Sequence, residues 1–192
     1  MKNIDYKINE KAKKIKLLVL DVDGVLTDGG IYMSDDGVES KKFFAQDGHG
    51  IKMIQSIGLE VAIISGRESE AVNHRAKELG IKKIVQNSKN KLNDFIKLFE
   101  KKYDKKEVCF VGDDIVDLAL LKYAGLSITV PNANLNGIDE YVDWVTPRVG
   151  GSGAVRDVCD LIYNIQKSFT VTYSRPVTDI TVNNITDDWE YG

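Results

Sequence analysis

The feature that most constrains the fold is a regular alternation of short apolar runs with amphipathic segments. Five runs rich in Val, Ile and Leu predict strands buried on both faces, at Lys16–Asp21, Glu60–Ile64, Lys83–Gln86, Val108–Val111 and Ser127–Val130. Helical patterns alternate with them, at Asp47–Ile57, Glu68–Leu79, Ser88–Lys102, Asp114–Tyr123 and Gly153–Gln166. This order predicts an α/β fold with an open, doubly wound, mostly parallel Rossmann-like sheet and helices on both faces.

One segment interrupts the alternation after the first strand. Two strand-like runs, Gly30–Ser34 and Val38–Phe43, flank an Asp-Asp-Gly sequence, and Asp-Gly between such runs indicates a hairpin turn. We therefore expect one domain over residues 1–166, with a small hairpin insert at about 29–44. Residues 167–192 differ in composition and are expected to form a tail, which is an added edge strand, an arm onto a neighbour or a floppy end.

Charge and composition narrow the classes of function. The 192 residues carry a formal net charge of −3, which disfavours nucleic-acid binding because such proteins usually have a basic excess. No apolar run approaches the roughly 20 residues needed to cross a bilayer, so no membrane partner is expected. Cys109 and Cys159 lie among apolar residues, which predicts two buried, reduced thiols in a cytoplasmic protein, with a disulfide or a metal-binding pair as the alternative. The isolated histidines, His49 and His74, predict no zinc site.

Acidic residues follow two of the predicted strands. Asp21 and Asp23 end the first strand in DVDGVLT, and GDDIVD after the fourth strand contains Asp113, Asp114 and Asp117. Ligands of open α/β sheets bind beyond the carboxyl ends of the strands, and we expect these two loops to lie side by side. Converging carboxylates of Asp21, Asp23 and Asp113 would suit Mg²⁺. The alternatives are a turn with solvated carboxylates after the first strand and a plain helix N-cap at Asp114.

Two further residues belong to the same constellation. Ser65, in IISGR, follows the second strand, where its hydroxyl and the next backbone N–H groups either hold phosphate oxygens or cap a helix. Lys91, in NKL, lies near a helix start, where its charge opposes the helix dipole unless an anion is present. A solvated surface lysine is the alternative for Lys91. The order of these segments is more specific than any one of them.

The series DxDGxLT, hhSGR, Lys and GDDxxD resembles the haloacid dehalogenase-like phosphatases. Over roughly residues 15–166, the segments LDVDGVLTDGGIYM, AQDGHGIK and GGSGAVRDVCDLI resemble one capless branch, which hydrolyses 3-deoxy-D-manno-octulosonate 8-phosphate. About 40 residues separate Asp23 from Ser65 and about 25 separate Ser65 from Lys91, which leaves no room for a cap domain.

The resemblance implies a Mg²⁺-dependent phosphatase that forms an aspartyl-phosphate. Asp21 would be the nucleophile and Asp23 the general acid and base, while Ser65 and Lys91 would hold the phosphoryl oxygens. The metal ligands would be Asp21, Asp113 and the backbone carbonyl of Asp23, with Asp114 and Asp117 supporting them or capping a helix. The sugar acid would contact Phe44, Ala45, Gln46, Asp47, Gly48, Lys52, Arg67 and Arg75. For Arg75, a solvated helix face is the alternative.

The resemblance also implies a cytoplasmic homotetramer in lipopolysaccharide biosynthesis, whose hairpins pack together and whose active sites are covered by neighbouring subunits. The chain departs from the pattern at Gln46 and Ser152, where arginine is common, so a nine-carbon keto-deoxy acid phosphate is the alternative substrate. A non-catalytic oligomerisation module is a second alternative, whose mark would be the loss of an acidic residue or of Lys91. A phosphoacceptor receiver domain is disfavoured because the acidic pair and the presumed nucleophile share one DxD.

Overall fold

The computed structural model describes residues 5–134, 136 and 139–174, and in this part of the chain six strands form one sheet. The strands in chain order are β1 (Leu17–Leu20), β2 (Tyr32–Met33), β3 (Glu39–Ser40), β4 (Glu60–Ile64), β5 (Lys83–Val85), β6 (Val108–Val111), β7 (Leu126–Thr129) and β8 (Trp144–Val145). The main sheet has the order β5-β4-β1-β6-β7-β8, and all of its pairings are parallel. The predicted doubly wound α/β fold is confirmed.

Helices cover both faces of this sheet. They are α1 (Tyr6–Ala12), α2 (Ala45–Ser56), α3 (Glu70–Leu79), α4 (Lys91–Phe99), α5 (Leu118–Tyr123) and α6 (Ala154–Ser174). Because side chains alternate along a strand, Leu18 and Leu20 of β1 pack in the core under α1, α2, α3 and α6. Leu17 and Val19 pack in the second core, under α4 and α5. Even α6, the longest helix described, is not long and apolar enough to span a membrane.

The predicted hairpin is present between β1 and α2. Strands β2 and β3 pair antiparallel, with Tyr32 opposite Ser40 and Met33 opposite Glu39. The turn is closed by Gly37, whose φ of 77° lies in the left-handed region that favours glycine. Four large apolar side chains of this segment are exposed: Ile31, Tyr32, Met33 and Val38. The hairpin therefore presents an apolar surface to its surroundings.

The structure differs from the sequence-based expectations at the ends of the chain. Helix α1 and strand β8 were not expected, because both are too short to show a clear period. Helix α1 has seven residues, of which two are buried, and β8 has two residues. Helix α6 continues beyond Gln166 to Ser174, since residues 167–174 contain neither Gly nor Pro to end it. After Pro147, the next proline in the sequence is Pro176, two residues beyond Ser174. The expectations for the tail at 175–192 lie outside the described residues.

Both cysteines lie in the interior. Cys109 on β6 and Cys159 on α6 are buried and free of disulfides, which confirms the prediction of buried thiols. Burial raises the pKa of both thiols above the ordinary value, so they stay protonated near neutral pH. A protonated, inaccessible thiol is a poor nucleophile, so both cysteines are structural.

Candidate active site

The candidate site lies where three neighbouring parallel strands end. Strand β1 pairs with β4 on one side and with β6 on the other, so their carboxyl ends share one edge of the sheet. Asp21 follows β1 directly, Ser65 follows β4 directly, and Asp113 follows β6 after one glycine. The strand order thus brings together three segments that are far apart in the sequence, as expected for an open α/β sheet.

Three carboxylates gather at this edge. One oxygen each from Asp21, Asp113 and Asp117 lies within 4.8 Å of the others. The ammonium of Lys91, whose residue is only 5% exposed, donates to Asp21 Oδ1 at 2.7 Å and to Asp117 Oδ1 at 2.5 Å. The alternative of a solvated surface lysine is therefore wrong. Lys91 begins helix α4, and the anions that make a lysine favourable at that position are side chains of the protein itself.

Both carboxylate oxygens of Asp117 accept hydrogen bonds. Its Oδ2 accepts hydrogen bonds from the backbone N–H groups of Asp113 at 3.0 Å and Asp114 at 3.2 Å, and its Oδ1 accepts from Lys91. Asp114 itself caps the short turn over residues 115–117, where its carboxylate accepts from the N–H of Ile115 at 2.7 Å. The capping alternative for Asp114 is therefore correct. Because its lone pairs are engaged, Asp117 orients the GDD loop and Lys91.

Burial and neighbouring carboxylates raise the pKa of two carboxyl groups. Burial raises the pKa of Asp21 to about 6, with Lys91 opposing this effect and Asp117 adding to it. Burial and the neighbouring carboxylates of Asp21 and Asp117 raise the pKa of Asp113 to about 8. Burial alone would lower the pKa of Lys91, but Asp21 and Asp117 outweigh it and raise that pKa. When all three carboxylates are ionised, the one ammonium leaves two negative charges uncompensated, which a divalent cation would balance.

The turn after β1 passes close to Asp113 at Gly24. Gly24 has a φ of 89°, and a Cβ at this position would overlap the carboxylate of Asp113. The carbonyl of Gly24 accepts from Asn132 Nδ2 at 3.1 Å, and Asn132 Oδ1 accepts from the N–H of Gly150 at 2.8 Å. A glycine is therefore required at position 24 both by the backbone conformation and by the approach of Asp113.

The carboxylate of Asp23 does not join the acidic group. Its Oδ1 accepts from the Lys41 ammonium, and its Oδ2 lies 3.8 Å from Nε of Arg67. Of the three carboxylates expected to converge, Asp21 and Asp113 do so, and Asp117 takes the place of Asp23. The reason is the irregular turn over 22–26, which directs the two carboxylates of DVD to different partners. The backbone carbonyl of Asp23 remains a predicted metal ligand.

Ser65 lies in a rigid turn at the end of β4. The residue is buried, its N–H donates to the carbonyl of Val85 at 2.9 Å, and its carbonyl accepts from the N–H of Ser88 at 3.0 Å. Its hydroxyl oxygen accepts from the N–H of Arg67 at 3.2 Å. Helix α3 begins only at Glu70, so Ser65 is not its N-cap, and the simple capping alternative is wrong.

The residues expected to contact a sugar acid differ in their exposure, and not all of them lie on one surface. Phe44, Ala45 and Gln46 lie at the exposed start of α2, where Gln46 Oε1 accepts from Arg148 Nη1 at 3.1 Å. Asp47 is only 2% exposed, and its Oδ1 accepts from the N–H of Arg156 at 2.7 Å, which links α2 to α6. Asp47 thus faces the interior of the protein, and its predicted contact with a ligand remains untested.

Arg75 and Lys52 both lie between α2 and α3, at different places along the two helices. The Arg75 guanidinium packs against Gly48 and pairs with Glu78 at 2.8 Å, so its helix face is partly covered rather than solvated. An open cavity of about 480 Å³ lies beside it, lined by Lys41, Phe43, Ala45, Ala71, His74, Arg75 and Glu78. The Lys52 ammonium instead lies near Gly80, where α3 ends.

Four residues with a clear position at the site were not found from the sequence. They are Lys41 and Glu39 of the hairpin, Asn132, which bridges the glycine loops, and Arg148, which reaches Gln46. Lys41 stands beside Lys42 in ESKKFF, and no local signal distinguishes the buried lysine from the exposed one. Each of the four is brought to the site by the packing of loops.

The sequence is similar to known proteins over most of its length. A family model described as haloacid dehalogenase-like hydrolase matches residues 47–125. The 3-deoxy-D-manno-octulosonate 8-phosphate phosphatase of Escherichia coli strain K12 is 46% identical over 153 residues, which are 79% of this chain and 81% of that protein. The corresponding protein of Yersinia pestis is 39% identical over 154 residues, or 80% of this chain and 82% of that one.

Solved structures share the fold. The crystal structure of the 3-deoxy-D-manno-octulosonate 8-phosphate phosphatase from Moraxella catarrhalis, in complex with a magnesium ion, a phosphate ion and KDO, has a TM-score of 0.82 and 41% identity, covering 86% of this chain and 95% of that one. The cobalt-bound enzyme from Haemophilus influenzae has a TM-score of 0.76 and 34% identity, covering 85% and 96%. Sequence and backbone are thus shared with these enzymes over most of the chain.

Proposed function

The chain belongs to the haloacid dehalogenase-like hydrolases, among the 3-deoxy-D-manno-octulosonate 8-phosphate phosphatases, and we propose that it hydrolyses that phosphate monoester. The observation that carries the proposal is the buried group of Asp21, Asp113 and Asp117 around Lys91, at the carboxyl ends of β1 and β6. The same group disfavours a non-catalytic oligomerisation module. Burying several carboxylates together costs stability, and nothing in such a module would offset that cost.

The acidic group fits Mg²⁺ as the cofactor. Asp21 and Asp113, together with the backbone carbonyl of Asp23, would hold the ion, and hard oxygen ligands are those that Mg²⁺ prefers. When bound, the ion offsets charge on the carboxylates and on the phosphoryl oxygens. The excess of carboxyl groups over ammonium groups and the raised pKa values of Asp21 and Asp113 support this assignment, because a bound cation stabilises the ionised carboxylates.

Asp21 is the proposed nucleophile. Its carboxylate attacks phosphorus in line, the bond from phosphorus to the sugar oxygen breaks, and an aspartyl-phosphate forms. Water then attacks the phosphorus of this intermediate and releases inorganic phosphate. Lys91 fixes one carboxylate oxygen of Asp21 at 2.7 Å, so the nucleophile is oriented before the substrate arrives.

Asp23 is the proposed general acid and base. It gives a proton to the departing sugar alkoxide and then takes one from the attacking water. Its carboxylate belongs to the same turn as Asp21 but is directed to another side, which suits a group that acts on the leaving oxygen rather than on the metal. Ser65 and Lys91 are proposed to bind the phosphoryl oxygens, where charge is spread in the transition state.

The sugar acid is proposed to lie along the start of α2 and in the cavity beside Arg75. Arg67 and Arg75 offer the planar donor forks that bind a carboxylate in bidentate fashion. Ala45 lines this cavity, and Ala45, Gln46 and Arg148 line a second one. Phe44 and Gly48 are sequence neighbours of Ala45 and Gln46, and Gly48 lies against Arg75. The Arg148 guanidinium donates to Gln46 and pairs with Asp157. The relatives at 46% and 41% identity, both 3-deoxy-D-manno-octulosonate 8-phosphate phosphatases, support the eight-carbon substrate despite the absence of an arginine at position 46.

The quaternary structure is proposed to be a homotetramer built on the hairpins, with active sites covered by neighbouring subunits. The exposed apolar side chains of Ile31, Tyr32, Met33 and Val38 support it, since a contiguous apolar surface favours association. The two buried, free cysteines support a cytoplasmic location. There, the product is proposed to serve lipopolysaccharide biosynthesis.

Phosphate release from the eight-carbon and nine-carbon keto-deoxy acid phosphates tests the proposal. We expect faster turnover of the eight-carbon ester, loss of activity in EDTA, and recovery when Mg²⁺ is added back. The Asp21→Asn variant sets the background. The function is wrong if neither ester is hydrolysed above this background, and the substrate assignment is wrong if the nine-carbon ester is preferred.

A further inference from the structure

The carboxylate of Asp23 is held by two cations that come from different parts of the chain. Lys41, which follows β3 of the hairpin, donates to Oδ1, and Arg67, which follows β4, lies 3.8 Å from Oδ2. Both cations also contact Glu39 on β3, at 2.7 Å from Lys41 Nζ to Oε1 and 2.7 Å from Arg67 Nη2 to Oε2. The four side chains thus form a closed ring of alternating charge, which we call the hairpin ion ring.

The two cations of this ring differ in their exposure. The side chain of Lys41 is 1% exposed, whereas that of Arg67 is 42% exposed. Water therefore weakens the contact of Arg67 with Asp23, and the contact of Lys41 is shielded. Of the two, Lys41 is the partner able to hold the carboxylate in one orientation.

We propose that Lys41 is a positioning residue for the acid–base carboxylate of Asp23, and that Glu39 orients Lys41 from the hairpin. This inference rests on the proposed phosphatase function. A carboxylate at the end of a strand rotates unless something holds it, and a small misplacement of a catalytic group costs much of its rate. With Oδ1 held by Lys41, Oδ2 is the oxygen that exchanges the proton with the leaving group.

Lys41 also lines the cavity in which the sugar is proposed to bind, so a direct sugar contact has to be separated from positioning. Aryl phosphates without a sugar make this separation. We would measure kcat/KM for a series that runs from phenyl phosphate to 4-nitrophenyl phosphate, whose leaving group needs the least protonation. The quantity of interest is the slope of log kcat/KM against the pKa of the leaving group.

Lys41→Met should steepen this slope toward that of Asp23→Asn. We expect kcat/KM for phenyl phosphate to fall about 10- to 100-fold, as for a misplaced general acid, and that for 4-nitrophenyl phosphate to change much less. The double variant Lys41→Met/Asp23→Asn should be no slower than Asp23→Asn alone. Lys42→Met is the matched control, because its side chain is 63% exposed and lies outside the ring, and it should keep the wild-type slope.

An equal loss on all aryl phosphates, or an unchanged slope, would overturn the inference. If Lys41→Met does not fold, Glu39→Gln is measured by the same criterion, because Glu39 contacts Lys41 and is not bonded to Asp23. A wild-type chain that hydrolyses neither the sugar phosphates nor the aryl phosphates would instead overturn the proposed function, and the inference with it. The two failures are thus distinguishable.

Discussion

The ammonium of Lys91 lies 2.7 Å from Oδ1 of Asp21, although 70 positions separate the two residues in the sequence. Lys91 also contacts Asp117, so one cation connects the turn after β1 to the loop after β6. Removing one partner from a buried ion pair leaves an uncompensated charge, which costs more than the pair contributes. We therefore expect Lys91 to matter for both the stability and the activity of the protein.

Lys91→Met should lower the free energy of unfolding by about 3–5 kcal/mol, the usual cost of breaking a buried ion pair. It should also lower kcat about 10²- to 10³-fold, because the proposed donor to the transferred phosphoryl group is lost. Urea denaturation and phosphate release measure the two effects. Lys89→Met, at an exposed lysine two residues earlier, should change stability by less than about 0.5 kcal/mol. Similar effects of the two variants would contradict the role of Lys91.

Gly24→Ala should disturb the acidic group directly. Its φ of 89° alone costs an alanine about 1–2 kcal/mol, and the added Cβ overlaps the carboxylate of Asp113. We expect kcat to fall about 10²-fold with the displacement of that side chain. Gly37→Ala is the control, since its φ is 77° but nothing lies within 4 Å of an added Cβ. It should lose stability and keep its turnover, and equal turnover of both variants would refute the argument.

Mg²⁺ should raise the melting temperature of the wild-type protein, because a ligand that binds only the folded state stabilises it by about 2.7 kcal/mol at 100 times its Kd. Asp113→Asn removes a proposed ligand and should abolish most of this shift in differential scanning calorimetry. Asp104→Asn, at an exposed cap before β6 and thus at the opposite edge of the sheet, should keep the shift. A full Mg²⁺ shift in Asp113→Asn would argue against the proposed ligand set.

Asp47 should make the stability of the protein depend on pH. Burial raises its pKa from 3.8 to about 6, while the N–H groups of Arg156 and Gly153 and the charge of Arg148 oppose this effect, and Asp157 adds to it. The unfolded chain releases the proton first, so stability falls as pH rises from about 4 to 6, by up to about 3 kcal/mol. Asp47→Asn keeps the acceptor for Arg156 and removes the charge.

The difference in unfolding free energy between Asp47→Asn and the wild type should therefore grow in favour of the variant between pH 4 and pH 6. Guanidinium denaturation at several pH values measures it. Asp36→Asn, at an exposed position in the hairpin turn, should show no such trend. A difference that is constant with pH would mean that Asp47 is not the group responsible.

Val38→Glu should weaken the proposed tetramer. Val38 is 63% exposed on the hairpin, and burying a carboxylate there on association carries a large desolvation cost. Light scattering at several protein concentrations should show smaller particles than the wild type, with the fold unchanged by circular dichroism. Tyr6→Glu places the same charge at an exposed apolar residue of α1, outside the hairpin, and should leave the mass unchanged. A tetramer that survives Val38→Glu would place the interface elsewhere.

The sequence was sufficient for the five longer strands of the main sheet because their signal is local. Runs such as Val108–Val111 are apolar throughout, which is typical of a parallel strand covered on both faces, and the strand bounds agree to within one or two residues. Acidic residues directly after such runs, as at Asp21 and Asp113, necessarily lie at the ligand-binding edge of the sheet. Short elements such as β8 have too few residues to carry a period, and they were missed.

What the sequence by itself determined is therefore the fold class, the order of the motifs and the edge of the sheet at which they meet. Only the tertiary structure decided that Asp117 rather than Asp23 joins the carboxylate group, that Lys41 rather than Lys42 is buried beside Asp23, and that Asp47 faces α6. Strands and helices follow from the periodicity of neighbouring residues. The direction of a polar side chain depends on the packing of loops that are distant in sequence. The residues next to that side chain in the sequence do not encode this packing.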